Sequence, residues 1–206
     1  MFITFEGTEG SGKSLQVRVL ADRLRAQGLP VCVTHEPGGT ALGDHVRDLV
    51  LLRGDLGIAA RAEALLMCTS RAQLVEQVIQ PALNGGTVVI CDRFADSTLV
   101  YQGAGRGLNM QALASVISFA TAGLKPDMTI LLDLPVDVGL ARKHSQETGW
   151  NRFEAEERAF HLRVRDGYLV LARTEPQRWQ QFDGAKAPDE ISEEIWRAVA
   201  PRLGLT

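Results

Sequence analysis

Apolar positions along this chain switch repeatedly between short continuous runs and stripes of helical spacing. Phe2-Ile3-Thr4-Phe5 is the first run, and after a Gly-rich stretch Leu15, Val19 and Leu20 through Leu24 form a stripe with Arg18, Asp22 and Arg25 on the other side. Gly28 and Pro30 close that helix, and Val31-Cys32-Val33-Thr34 reads as a short buried strand. Leu42 to Leu52 and Ala60 to Leu83 are expected as helices around a Gly54 to Gly57 turn, with Pro81 disturbing only the end of the second. Thr87 to Cys91 is nearly all β-branched, the pattern of a strand buried on both faces. Ser97 to Tyr101 reads as a short helix or turn, Gln102 to Gly107 as a mobile Gly-rich connection, and Leu113, Val116, Ile117 and Ala120 as one face of a helix. Asp127 to Leu134 is a fourth strand, Val136 to Lys143 the helix after Pro135, and Glu154 to Ala172 a long charged helix. Trp179 to Phe182 is a last strand, and Asp189 to Val199 a closing helix with Ile191, Ile195, Trp196 and Val199 inward.

Strands alternating with helices predict a three-layer α/β fold, a largely parallel sheet covered on both faces. With 206 residues and no low-complexity linker, one domain spanning 1–206 is the natural reading. A formal net charge of -3 argues against broad attraction to nucleic acid, so any polyanion bound is expected to be small. Cys32, Cys68 and Cys91 are odd in number and lack metal-ligand spacing, and read as core-filling thiols in a reducing compartment. No apolar run approaches bilayer length and Met1 leads almost at once into a strand, so a cytoplasmic chain without a membrane partner is expected.

Candidate chemistry begins directly after the first strand. Gly7-Thr8-Glu9-Gly10-Ser11-Gly12-Lys13-Ser14 fits the phosphate-loop spacing of Gly, four residues, then Gly-Lys-Ser. Glycines let successive N–H groups curl around one polyphosphate, Lys13 adds charge, and the helix that starts here favours the same anion. Ser14, the first helical hydroxyl, is placed to ligate a phosphate-bound Mg²⁺. His35-Glu36-Pro37-Gly38-Gly39-Thr40 and Asp92-Arg93-Phe94 follow the second and third strands, so all three loops are expected on one side of the sheet. A charged pair at the end of a buried strand needs partners. Arg47 and Arg71, each taken alone, read as solvated helix residues. His144 to Asn151, flanked by Arg142, Lys143 and Arg152, reads either as a solvated run or as a basic lid.

Together these motifs resemble, in order, those of bacterial thymidylate kinases: the phosphate loop, Glu36-Pro37-Gly38-Gly39-Thr40, Arg71, Asp92-Arg93-Phe94 and Tyr101-Gln102-Gly103. The resemblance runs from about Phe2 through the Arg152 region and more weakly to the last helix. It implies the five-stranded parallel sheet of the nucleoside monophosphate kinases, a lid over about 142–153, and a homodimer. It also implies phosphoryl transfer from Mg·ATP to dTMP, giving ADP and dTDP. Lys13 and the loop amides would hold the donor phosphates, with Ser14 on Mg²⁺. Arg93 matches a cation bridging donor and acceptor, and Asp92 either orients it or reaches Mg²⁺ through water. Glu9 matches a residue that meets the acceptor 3′-hydroxyl, and Arg47 one near the dTMP phosphate. Arg71 matches a donor to the thymine edge and Tyr101 a ring crowding the sugar 2′ position, while Ser97 and Gln102 would line the base pocket beside Glu36, Pro37 and Met67. Gly184 and Ala185, after Asp183, resemble the adenine-side loop.

Gly10 stands where eukaryotic-type enzymes carry an arginine, so the resemblance assigns the missing cation to the lid, Arg152 first and Arg142 second. Four positions depart from the family pattern: His35 for arginine, Met67 for a base-stacking aromatic, Leu15 for threonine and Asn151 for aspartate. Two other functions stay open at this level. A kinase of another nucleotide or nucleoside is favoured by Met67, and a nucleotide-binding sensor without turnover by His35 and the altered lid. Intact Lys13, Ser14, Asp92 and Arg93 oppose the second.

Overall fold

The structure, a computed structural model, describes residues 1–145, 152–153 and 156–205. β1 (Phe2–Glu6) is the middle strand of a parallel sheet with β2 (Val31–His35), β3 (Val88–Asp92), β4 (Met128–Asp133) and β5 (Trp179–Asp183), in the order β2-β3-β1-β4-β5. Every β1 side chain is buried, because a strand with neighbours on both edges and helices on both faces has no solvent side. Alternation divides them. Ile3 and Phe5 join Ile90, Met128 and Ile130 against α1 (Lys13–Ala26) and α9 (Pro188–Val199). Phe2 turns the other way, to Val89, Cys91 and Leu74 of α3 (Ala60–Leu74). Thr4 and Glu6 share that second face, and Thr4 Oγ1 lies 2.9 Å from Thr129 Oγ1.

Helices α2 (Ala41–Leu52), α6 (Met110–Ala120) and α7 (Val136–His144) appear where the periodicity places them. Thr40 caps α2 by accepting from Gly43 N at 3.0 Å, and Asn109 caps α6 by accepting from Ala112 N at 2.9 Å. The expected helix from Ala60 is α3 followed by a π-helical turn, Val75–Ile79, and α4 (Gln80–Asn84). The wider turn precedes Pro81, whose ring and missing N–H do not fit a regular α ladder.

Several expectations are corrected. β2 is an edge strand rather than a buried one, with Val33 41% exposed. Leu15 does not join the buried face of α1, which consists of Gln16, Val17, Leu20, Ala21 and Leu24. The Gly-rich stretch after Tyr101 is no loose connection: α5 (Ala95–Thr98) runs on as a π-helical segment, Leu99–Gly105, in which Gln102, Gly103 and Gly105 are buried. Here glycines permit close packing, since a Cβ on Gly105 would sit 2.6 Å from the Phe160 ring. The long charged helix is α8 (Arg158–Thr174); the expected start at Glu154 and the polar lid residues 146–151, Asn151 included, lie outside the described residues. Cys68 and Cys91 are core residues, whereas Cys32 on the edge strand is half-buried. Trp196 packs partly buried against the α1/α9 core, under the Arg23 guanidinium at 4.2 Å. No helix among the described residues is long and apolar enough to cross a membrane.

Burial ranks the strands in stability. Ile130 is 0% exposed in β4, so Ile130→Ala should cost about 3 kcal/mol in urea denaturation. Val33→Ala on the edge should cost less than about 1 kcal/mol, and equal losses would contradict the edge assignment.

Candidate active site

All strands of a parallel sheet end at the same edge, so the segments after β1, β2 and β3 meet there. They enclose a cavity of about 1260 Å³. Its lining holds more basic than acidic side chains, Lys13, Arg47, Arg93 and Arg142 among them, although the whole chain carries a net charge of -3. Local charge, not net charge, describes this cleft.

One end is built by the loop after β1. α1 begins at Gly12 in a left-handed conformation (φ 90°) with no side chain capping it, and no acidic residue lies in its first turn. Its leading N–H groups therefore meet no carboxylate from its own first turn or N-cap, the electrostatics of an anion site. Lys13 Nζ donates to the carbonyls of Gly7 at 3.1 Å and Thr8 at 2.9 Å and to Ser11 Oγ at 3.3 Å. Burial, reinforced by the nearby Arg93 charge, pulls the Lys13 ammonium down to about 8. Gly10 is required sterically, because a Cβ there would lie 2.2 Å from Gly139 O in α7. No side chain fits at that position. Gly7 and Thr8 are buried behind the cavity surface, where Thr8 Oγ1 has no hydrogen-bond partner among the described residues.

Charged residues join the loop after β3 to this end. Ser14 Oγ donates to Asp92 Oδ2 at 2.6 Å. Arg93 adopts a left-handed backbone (φ 69°), and its guanidinium donates to both Glu9 oxygens at 3.1 Å, to Tyr168 OH at 3.1 Å and to Ser97 Oγ at 3.4 Å. Tyr101 OH also donates to Glu9, at 2.7 Å. Burial alone would push the Glu9 carboxyl up. Arg93, Lys13 and the Tyr101 hydroxyl outweigh it and hold Glu9 at about 2.

The other end is walled by α2, α3 and the loop after β2. Arg71, 2% exposed, is no solvated helix residue: it donates to Glu36 Oε2 through Nε at 2.9 Å and through Nη2 at 2.7 Å. Nη2 also reaches Phe94 O at 3.1 Å and Thr98 Oγ1 at 3.0 Å, while among the described residues Nη1 meets Cys68 Sγ, at 3.8 Å. Arg71 lies behind the wall and Glu36 in it. Arg47 donates to Pro37 O at 2.9 Å, and both line the cavity with His35, Met67 and Gln102. Gln102 directs its amide at 2.8 Å to Glu63, a fully buried carboxylate. Burial, with Arg47 next, lowers the His35 pKa, so this position carries less positive charge than an arginine would.

The two lid arginines separate. Arg152 does not reach the loop after β1: its guanidinium bonds Glu63 and, at 2.9 Å, Val50 O. Arg142 donates to Gly184 O at 3.0 Å and lies 3.5 Å from Gly10 O. The first choice for a lid cation is thus docked on α2 and α3, and the second stands beside the phosphate loop. Phe153, next to Arg152, lines the cavity with its ring edge-on to Tyr101 at 5.6 Å. Gly184 lines the donor end, whereas Ala185 is exposed beside it.

Sequence reasoning missed three groups here. Glu6 is completely buried and accepts from Phe94 N at 2.9 Å, Ser97 Oγ at 2.6 Å and Tyr168 OH at 2.8 Å. Burial and the neighbouring Asp96 charge push its carboxyl up to about 7. Tyr168 and Glu63 come from α8 and α3. A lone carboxylate ending an apolar strand is the signal that marked Glu6; nothing in helical periodicity marks the other two.

The chain as a whole is similar to known proteins. A family model described as thymidylate kinase matches residues 5–195. Thymidylate kinase of Thermomicrobium roseum is 48% identical over 198 residues, covering 96% of this chain and 93% of that one. Thymidylate kinase of Deinococcus radiodurans is 48% identical over 202 residues, 98% of this chain and 97% of that one. Among solved structures, thymidylate kinase from Ehrlichia chaffeensis superposes with a TM-score of 0.79 at 31% identity, covering 97% of each chain.

The Glu9 pairing sets a pH dependence. Its carboxyl falls from the ordinary 4.5 to about 2 on folding, so its stabilisation is complete above pH 4.5 and is lost as pH falls from there towards 2. Glu6 acts in another window: with a folded value of about 7, its contribution weakens as pH rises from 4.5 to 7. Glu9→Gln should flatten the acid limb below pH 4.5 in urea midpoints and leave the limb above it; an unchanged acid limb would refute the pairing.

Proposed function

This chain belongs to the thymidylate kinase family, and we infer from that membership that it transfers the γ-phosphoryl group of ATP to dTMP, giving ADP and dTDP. The observation that carries the reading is one cavity lined by a phosphate loop, a separate acceptor wall and Arg93, which is paired with Glu9 of the loop. Phosphoryl transfer asks a protein mainly for alignment and for cations between two polyanions.

In this reading Lys13 and the amides from Gly7 to Ser14 hold the donor phosphates, with Gly184 and Ala185 on the adenine side. Among the described residues the Lys13 ammonium is hydrogen-bonded to two carbonyls and a hydroxyl, neutral partners that a phosphate would replace. Ser14 Oγ and Asp92 Oδ2, 2.6 Å apart, are hard oxygen donors and fit Mg²⁺, which takes few protein ligands and completes its shell with phosphates and water. Bound there, Mg²⁺ would neutralise charge on the transferring group. Arg93 faces both substrates, and Glu9 is placed for the acceptor sugar with Tyr101 beside it. Arg47 serves the acceptor phosphate; Pro37, Met67, Ser97 and Gln102 line the base pocket, which Glu36 shapes. Arg71, behind the wall, is assigned to the thymine edge through Nη1, the nitrogen not engaged by Glu36. Arg142 supplies the charge that Gly10 excludes from the loop, and Arg152 anchors the lid. One unit spans 1–206 with a lid over about 142–153. Two copies pair, which the exposure of Leu65 (56%) on α3 and Phe119 (89%) on α6 supports.

ADP release with ATP, Mg²⁺ and each of dTMP, dUMP, dCMP, dGMP and UMP tests the reading. dTMP should turn over fastest, and no turnover with any acceptor would overturn it. Arg93→Ala should lower kcat by about 10³-fold or more. Arg142→Ala should lower kcat more than Arg152→Ala does; the opposite ranking would return the catalytic cation to Arg152.

A further inference from the structure

Arg93 is held in a conformation that its own chemistry does not favour. A left-handed backbone is uncommon for a residue with a Cβ and persists only where the surroundings over-determine it. Both peptides flanking Arg93 are tied to β1. Arg93 N donates to Phe5 O at 2.9 Å, and the next amide, Phe94 N, donates to Glu6 Oε1 at 2.9 Å. The first bond continues the sheet ladder. The second requires a side chain, and alternation along β1 turns Glu6 to the face where α5 and α8 pack.

Glu6 also governs the guanidinium. Its Oε2 accepts the protons of Ser97 Oγ at 2.6 Å and Tyr168 OH at 2.8 Å. In the ionised form of Glu6 those protons are committed to the carboxylate, and the two hydroxyl oxygens present lone pairs to Arg93 Nη1, at 3.4 and 3.1 Å. An amide in place of the carboxylate reverses this polarity, since its NH₂ donates to the hydroxyls and turns their protons towards a cation.

We propose that Glu6 is a positioning residue for Arg93, fixing its left-handed backbone through the Phe94 amide and its guanidinium through the oriented hydroxyls of Ser97 and Tyr168. This rests on the reading of Arg93 as the cation between donor and acceptor. Glu6 is completely buried and does not line the cavity. It sits immediately before the phosphate loop, so one side chain sets the position of Arg93 relative to that loop.

The test is ADP release with ATP, Mg²⁺ and dTMP by four proteins: wild type, Glu6→Gln, Arg93→Ala and the double variant. Glu6→Gln should lose about 10²-fold in kcat, the scale of a misplaced catalytic group, with KM for both substrates within about threefold of wild type. In the Arg93→Ala background the same change should cost less than about twofold, because no guanidinium remains to be placed. Losses that multiply, or wild-type kcat in Glu6→Gln, would overturn the assignment while leaving the kinase reading intact. A wild-type protein inactive on dTMP would bring down both. If Glu6→Gln fails to fold, Tyr168→Phe keeps the ring packing and removes one oriented hydroxyl. It should lower kcat in the wild-type background and not in Arg93→Ala, and multiplying losses would again refute the proposal.

Discussion

The ion pair between Arg93 and Glu9 joins the loop after β3 to the loop after β1, and the rest of the cavity is arranged around it. A guanidinium this deep needs a carboxylate and further acceptors, because desolvation would otherwise outweigh any gain from burying it. Glu9, Ser97 and Tyr168 supply them from the phosphate loop, α5 and α8. Moving any of these elements would strand a charge, so the same contacts that prepare the site also lock the packing order around it.

Other buried and half-buried cations follow the same rule. Arg71 pairs with Glu36, Arg178 with Asp96, and both Arg106 and Arg152 with Glu63. Lys13 differs, since its ammonium is bonded to two carbonyls and a hydroxyl. It is also a cation whose pKa burial has lowered. The contrast is between cations paired with carboxylates and one hydrogen-bonded to neutral oxygens.

Close packing also sets a guanidinium beside the phosphate loop. Gly10 and Gly139 face each other so tightly that a Cβ on either would meet the other segment's backbone within 2.2 Å. The phosphate loop therefore cannot carry a side chain at that point. Arg142 lies three residues after Gly139 on α7, and the helix that closes on Gly10 also brings that guanidinium to it.

Much of this was legible in the sequence. Period and turn chemistry located all five strands and most helices, because burial of one face leaves a regular signature in the chain. The phosphate loop was legible because its spacing is a local backbone requirement, and Arg93 because a charge at the end of a buried strand demands partners. Non-local properties were not legible. The sequence could not distinguish the edge strand Val31–His35 from a buried one, since pairing order is a relation between distant segments. Nor did it reveal that Arg71 pairs with Glu36, that Arg152 docks on Glu63, or that Glu6 meets Phe94, Ser97 and Tyr168. Local sequence by itself determined which groups must be satisfied; tertiary structure alone decided which partners satisfy them, because hydrogen bonds and ion pairs act over a few ångströms between residues up to 176 positions apart.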